Sequence, residues 1–185
     1  AGTYHPQGTT DQSSCIPCAA GTYTAIAGEG SCTSAGAGFF VPATSATEQL
    51  SCAVNTFSGG AATVCANCIP GESTDGQNEQ SSCAGCSRGK YNPTAGASCL
   101  DCILGKSTYQ VSSTAISDCQ LCPVQYYTPT AGGDCVSCPA GSGYRDGTGI
   151  DINACDQCPT GTYYEFKNDV FYGLQSNPDS TGKSD

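Results

Sequence analysis

Sixteen cysteines carry most of the chemistry open to this chain of 185 residues. Seven Cys-x-x-Cys pairs are complete: Cys15/Cys18, Cys65/Cys68, Cys83/Cys86, Cys99/Cys102, Cys119/Cys122, Cys135/Cys138 and Cys155/Cys158. Two more read as half-units, with Cys32 followed three residues on by Ala35, and Cys52 by Asn55. Cysteines so spaced admit three chemistries. Two pairs separated by 12–16 residues suit a tetrahedral zinc ribbon. A dithiol can catalyse redox exchange, but a reactive thiolate needs a helix N-terminus or a nearby cation. Neither is visible. The third chemistry is a disulfide framework, which the even count, the acidic composition and the loop-rich linkers favour.

Other reactive groups are sparse. His5 is the one histidine, so no triad or facial metal site can be assembled around it. The 16 carboxylates are scattered along the linkers and read as solvated loop residues. One cluster, Asp146, Asp151, Asn153 and Asp156, offers oxygen ligands at a spacing that suits calcium, against a plain Asx-turn loop. No Asn-x-Ser/Thr sequon exists: Asn55 and Asn92 fail it, and Asn153-Ala-Cys is a variant whose cysteine is expected to be bridged. Serine and threonine make up about a fifth of the chain. Thr44, Thr94, Thr128 and Thr130 lie near proline at expected turns, where either O-glycans or bare turn-forming hydroxyls fit. No dissociable cofactor is expected.

The elements that must position these groups are short. Leu, Ile, Val and Phe total 24 residues, about 13% of the chain, and the net charge is −10. Such a composition would ordinarily leave a chain disordered, but cysteine at about 9% falls in the disulfide-scaffold range. Closing a loop of ~15 residues removes roughly 3 kcal/mol of unfolded-state entropy in the chain-entropy model. Cross-links therefore stand in for a core. The six Lys and Arg cannot form a basic patch, so nucleic acid is excluded as a partner. No apolar stretch approaches the ~20 residues of a membrane span. Methionine is absent, even at position 1, as in a processed product.

The pairs recur at intervals of 13 to 20 residues, with long and short linkers alternating from Cys32 onward. Tyr23, Tyr91, Tyr127 and Tyr163 each lie five residues past a second cysteine, where they are expected to cover the disulfide. Pro93 and Pro129, followed by Gly96 and Gly132, mark turns. No segment has a sustained helical period with caps. The expected fold is an elongated all-β and loop rod of short two-stranded ribbons, with almost no helix.

The segments CIPCAAGTY, Cys15 to Tyr23, and CDQCPTGTY, Cys155 to Tyr163, resemble ephrin-receptor-like cysteine-rich repeats. These are relatives in style of tumour-necrosis-factor-receptor modules. Similar arrays occur in ciliate surface antigens and in the mastigonemes of algal flagella. The resemblance implies an extracellular, non-enzymatic array and leaves receptors, coats and fibres all open. It divides the chain into partial repeats at 1–31, a degenerate module at 32–64, modules at 65–98, 99–134 and 135–165, and a tail at 166–185. If each module pairs first cysteine with first and second with second, the bonds are Cys32–Cys52, Cys65–Cys83, Cys68–Cys86, Cys99–Cys119, Cys102–Cys122, Cys135–Cys155 and Cys138–Cys158. Cys15 and Cys18 then bond to each other or to a partner outside the chain.

Two functions compete at this stage. One is a structural protein that assembles head-to-tail with copies of itself into a filament or surface coat, glycosylated on hydroxyls. It would use Tyr4 at one end and Tyr163, Tyr164, Phe166, Phe171 and Tyr172 at the other, because both ends begin or stop in mid-repeat with an uncapped layer. The other is the stalk or ectodomain of a surface receptor or adhesin.

Overall fold

The computed structural model describes residues 1–6, 15–123, 125–139, 142–144, 155–157, 162–167 and 170–176. They belong to two compact units. The first comprises Ala1–Cys86 and Asn92–Cys99, the second Ser87–Tyr91 and Leu100–Asp185.

The first unit contains five antiparallel ribbons in chain order. They are β1 (Thr3–Tyr4) with β2 (Ile16–Pro17), β3 (Thr22–Tyr23) with β4 (Thr33–Ser34), β5 (Phe39–Phe40) with β6 (Leu50–Ser51), β7 (Thr56–Phe57) with β8 (Ala66–Asn67), and β9 (Glu72–Ser73) with β10 (Ala84–Gly85). The second unit continues the pattern with β11 (Lys90–Tyr91) and β12 (Leu100–Asp101), β13 (Lys106–Ser107) and β14 (Gln120–Leu121), β15 (Tyr126–Tyr127) and β16 (Val136–Ser137), and β17 (Ser142–Tyr144) and β18 (Cys155–Gln157). It ends on a longer hairpin, β19 (Thr162–Lys167) with β20 (Val170–Ser176). A single 3-10 turn, Ile116–Asp118, is the helical content of the described residues. The chain is thus a small disulfide-rich all-β repeat array.

A shared local code makes each hairpin. A β-turn precedes the first strand, closed by an i to i+3 backbone bond such as Thr22 N–H to Ala19 O or Glu72 N–H to Ile69 O. Its third residue has positive φ: Gly21, Gly38, Gly71, Gly89 and Gly105, but also Asn55 at 61° and Gln125 at 69°. The sequence Ile69-Pro70-Gly71 is a type II turn signal, proline fixing the second position and glycine freeing the third. Two strand residues follow, then a wider turn, then the two-residue return strand. The hairpin is shut by a bond from the residue after the return strand to the positive-φ residue, as from Cys18 N–H to Gly2 O, Cys86 to Gly71 and Cys138 to Gln125.

Burial is confined to narrow positions. Apart from Ala35 and Val41, the buried apolar residues among those described are cysteines: Cys18, Cys52, Cys68, Cys86, Cys102, Cys119 and Cys122. Threonine, serine and asparagine supply the buried polar side chains. Ile103, Leu104, Val111 and Leu121 remain exposed, and among the described residues no large apolar cluster forms.

This folded repeat does not follow the boundaries expected from the sequence. A module at 32–64 would hold β7 but exclude its partner β8, and one at 65–98 would separate β11 from β12. Each repeat runs instead from the positive-φ residue to the buried residue after the return strand. Each cysteine pair lies at the end of one repeat, and its second cysteine bonds forward into the next.

Candidate functional site

Seven disulfides join Cys18–Cys32, Cys52–Cys65, Cys68–Cys83, Cys86–Cys99, Cys102–Cys119, Cys122–Cys135 and Cys138–Cys155. Every bond links the second cysteine of one pair to the first of the next and closes one hairpin. The expected bonds Cys32–Cys52, Cys65–Cys83, Cys68–Cys86, Cys99–Cys119, Cys102–Cys122, Cys135–Cys155 and Cys138–Cys158 are therefore incorrect. So is a Cys15–Cys18 bond: Cys18 is bonded to Cys32, and Cys15 is an exposed free thiol. Cys158 lies outside the described residues.

The physical reason is strand parity. Cysteines three apart flank a two-residue extended segment, and an odd separation on a pleated chain turns the side chains to opposite faces. One sulfur faces the start of its own hairpin. The other faces the residue just before the return strand of the next hairpin. The return strand brings the bonded Cα atoms to between 5.6 and 5.8 Å in all seven cases. These fourteen sulfurs are consumed by one another, so they offer no thiolate to zinc or to redox exchange.

The same frame reassigns the half-units. Cys52 occupies the second-cysteine position, buried like Cys18 and Cys68, and Asn55 stands at the positive-φ turn position where most repeats have glycine. Ala35 is a true second position, and the first position that pairs with it is Gln49. Both members of one disulfide are therefore missing, and that disulfide belongs to the hairpin Gly38–Cys52. Ala35 is buried, and the Gln49 side chain bonds across the gap, accepting the Gly36 N–H at 2.8 Å.

Sequence reasoning missed a second ladder, six residues past each buried position. It contains Thr24, Val41, Ser58, Thr74, Asn92, Thr108 and Thr128, all buried. Each meets the positive-φ N–H of the preceding hairpin. Gly2 donates to Thr24 O, Gly21 to Val41 O, Gly38 to Ser58 O and Gly71 to Asn92 O, all at 2.8–2.9 Å. Elsewhere a hydroxyl is the acceptor: Asn55 N–H to Thr74 Oγ1 at 2.8 Å, Gly89 to Thr108 Oγ1 at 2.9 Å and Gly105 to Thr128 Oγ1 at 2.7 Å. These bonds satisfy donors that would otherwise be buried and orphaned. A further ladder runs from the wide turns, with Ser45 N–H donating to Cys18 O, Ala61 to Ala35 O, Glu79 to Cys52 O, Gly96 to Cys68 O and Gly132 to Cys102 O. The signal was available in the type of the sixth residue: a small hydroxyl or amide after Thr-Tyr or its equivalent.

This disposes of one glycosylation candidate. Thr128 is fully buried and its hydroxyl already accepts a backbone bond, which leaves the folded state no access for a glycan. Thr44, Thr94 and Thr130 are exposed on wide turns. Of the calcium candidates, Asp146, Asp151 and Asn153 lie outside the described residues, and Asp156 is placed only as a backbone position in β18. Tyr4 is half-buried in β1, opposite Ile16, and His5 follows it with its N–H donated to Glu29 O. Tyr163, Tyr164, Phe166, Phe171 and Tyr172 all lie in the β19–β20 hairpin, whose strands pair with each other. The inner edges expected to receive another copy are thus used within the chain.

A cleft of about 430 Å³ lies in the long turn between β13 and β14. Tyr109, Gln110, Ser112, Ser113, Thr114, Asp118 and Gln120 line it, with Val111. Asp118 Oδ2 accepts the Thr114 and Ala115 N–H groups, and Tyr109 OH donates to Leu121 O at 2.8 Å. Partial burial, and then the Asp134 carboxylate, push the Tyr109 phenol above its ordinary range. The lining can form hydrogen bonds. It holds one carboxylate and neither His, Cys nor Lys, so it lacks the partnered groups of nucleophilic or acid–base catalysis.

Charge divides the sequence. Residues 1–87 contain six carboxylates and neither Lys nor Arg, while all six basic residues lie between Arg88 and Lys183. In the second unit, Lys90 pairs with Asp101 at 3.1 Å and Arg88 with Asp134 at 3.7 Å, both exposed and worth little individually.

The two-residue ribbons, a disulfide closing seven of the hairpins and the ladders between them define a cysteine-rich repeat protein. Residues 74–119, about a quarter of the chain, match the family model described as tyrosine-protein kinase ephrin type A/B receptor-like. That segment contains the Cys86–Cys99 and Cys102–Cys119 bridges, and with the other disulfides it fits a cysteine-rich repeat family. No curated protein matches the chain.

Proposed function

We propose that the chain is an extracellular structural module, a receptor-like stalk that spaces what it carries, and not an enzyme. One observation carries this reading. Adjacent hairpins within each unit are joined by bonds from the main-chain N–H of the turn at equivalent positions, to a carbonyl from Gly2–Thr24 through Gly38–Ser58 in the first unit and to a hydroxyl at Gly89–Thr108 in the second. Such joints need only a turn N–H and a carbonyl or small hydroxyl to accept it, so hairpins can be added without redesigning a core. The receptor-like match and the disulfides support an extracellular setting. Among the described residues no helix is long and apolar enough to cross a membrane. Exposed Thr44, Thr94 and Thr130 are the O-glycan acceptors on this reading. Mass spectrometry of secreted protein should find hexose or hexosamine increments there and none on Thr128.

A second reading, head-to-tail addition of copies, draws on the β19–β20 hairpin. It is a two-stranded sheet, so each strand has an outer edge unused by the sheet itself. Light scattering and electron microscopy of the oxidised protein separate the two. Particles of constant monomer mass at all concentrations support the stalk. Fibres that lengthen with concentration support self-assembly, and would displace it. Loss of structure on adding EDTA, with thiols appearing in titration, would sink both.

A further inference from the structure

We propose that the hairpin Gly38–Cys52 is the array's proteolytic release point, the turn at which one cut by an endopeptidase divides the chain.

Cross-link topology sets this hairpin apart. The Cys18–Cys32 bridge ends before it and Cys52–Cys65 begins after it, so among the described residues no disulfide spans 33–51. A cut between Cys18 and Cys32, or between Cys68 and Cys83, leaves both products joined through sulfur. A cut in the turn between β5 and β6 leaves nothing covalent between them. The gap is built into the repeat, because Ala35 and Gln49 fill the two positions that are cystines in its neighbours.

The turn is also open to attack. Thr44, Ser45, Thr47 and Glu48 are exposed. What holds it is a two-pair ladder, Phe39↔Ser51 and Phe40↔Leu50, with a few backbone bonds, among them Ser45 N–H to Cys18 O at 2.8 Å. A protease binds its substrate as an extended strand, so the turn must first open locally. A loop tied by a cystine cannot extend through such a groove without bending back. This one can, once its hydrogen bonds break. At Glu48–Gln49 the reaction consumes one water. The C–N bond breaks, a carboxylate forms on Glu48 and an α-amine on Gln49.

Limited digestion of the intact, oxidised chain with a glutamyl-specific endopeptidase tests this. The 1–48 fragment, identified by mass, should separate in denaturant without reductant. Its release should precede cuts at the exposed Glu29 and Glu79 (scored after reduction) by about tenfold to a hundredfold, the scale that loop closure contributes to opening. Glu48→Gln should abolish the early fragment. The double variant Ala35→Cys/Gln49→Cys should be lighter by two hydrogens, and its 1–48 piece should stay attached until reduced. Earlier cleavage at Glu29 or Glu79 would overturn the proposal. So would a wild-type 1–48 fragment that leaves only on reduction, or two unpaired thiols in the double variant.

Discussion

Hairpins Gly38–Cys52 and Asn55–Cys68 are neighbours in the first unit and are held shut by different means. The second has the Cys52–Cys65 bridge and an ordinary first strand, Thr56-Phe57, leading to buried Ser58. The first has Ala35 and Gln49 in place of the cystine, and its strand segment is Phe39-Phe40-Val41. Val41 is the one large aliphatic buried among the described residues, at a position where other repeats place hydroxyl or amide side chains. Apolar burial has moved in where the cross-link is missing. Both hairpins keep a bond from the turn N–H to the next hairpin, Gly38 N–H to Ser58 O and Asn55 N–H to Thr74 Oγ1. The backbone ladder thus defines the repeat, and cystine or apolar side chains are alternative ways of closing it.

Removing the cross-link from the second hairpin would break this contrast most severely. Cys52→Ser/Cys65→Ser should cost on the order of 3–5 kcal/mol in a denaturant titration, since Ser58 provides no apolar substitute. A loss under 1 kcal/mol would mean that the ladder alone holds the hairpin. Gly38→Ala comes next. Gly38 has φ near +83°, and a Cβ there would overlap the backbone carbonyl of Glu79, so a cost of about 2–4 kcal/mol is expected. Gly28→Ala is the control: φ is also positive, but a Cβ there meets nothing within 4 Å, so only about 1–2 kcal/mol should be lost.

Exchanging ladder residues sharpens the comparison further. Thr108→Val deletes the oxygen that accepts the Gly89 N–H, leaving a buried donor unpaired for about 1–3 kcal/mol. Val41→Thr should cost less at its main-chain bond, because Gly21 N–H bonds the carbonyl of residue 41. Thermal melts of the pair should rank Thr108→Val as the worse, and the opposite order would refute the assignment of acceptors. Tyr109→Phe is the smallest change, below about 1 kcal/mol for one exposed hydrogen bond. Its pH signature is more telling. The folded phenol's pKa is raised, so its contribution is full below the unfolded value near 10 and is lost as pH climbs through the folded value. Alkaline melts should therefore fall less steeply in the phenylalanine variant.

Much of the architecture could be read directly from residue types. Gly-Thr-Tyr after Cys18 and Gly-Lys-Tyr after Cys86 point to short strands, and Pro-Thr-Ala-Gly points to turns that the structure places at Gly96 and Gly132 with positive φ. The frame at Cys52 was also within reach. Ala53-Val54-Asn55-Thr56-Phe57 repeats the pattern of Ala19-Ala20-Gly21-Thr22-Tyr23, which marks Cys52 as a second cysteine. Counting cysteines alone hid this, because asparagine can replace glycine at positive φ and so breaks the visible motif. The Thr128 hydroxyl looked like a glycan acceptor for the same kind of reason. Proline beside threonine reports a turn, and only the count of six residues from Cys122 reports that the preceding hairpin covers it.

The sequence by itself determined the chemistry of closure. Cysteine number, scarce aliphatics and period required a chain of small cross-linked ribbons, since that composition cannot bury a conventional core. Only the tertiary structure decided which sulfurs meet and which hydroxyls are buried. Both depend on where one hairpin lies against the next. Two cysteines three apart have fixed opposite directions in any extended strand, but their partners are fixed only when the main-chain ladder brings the following hairpin alongside.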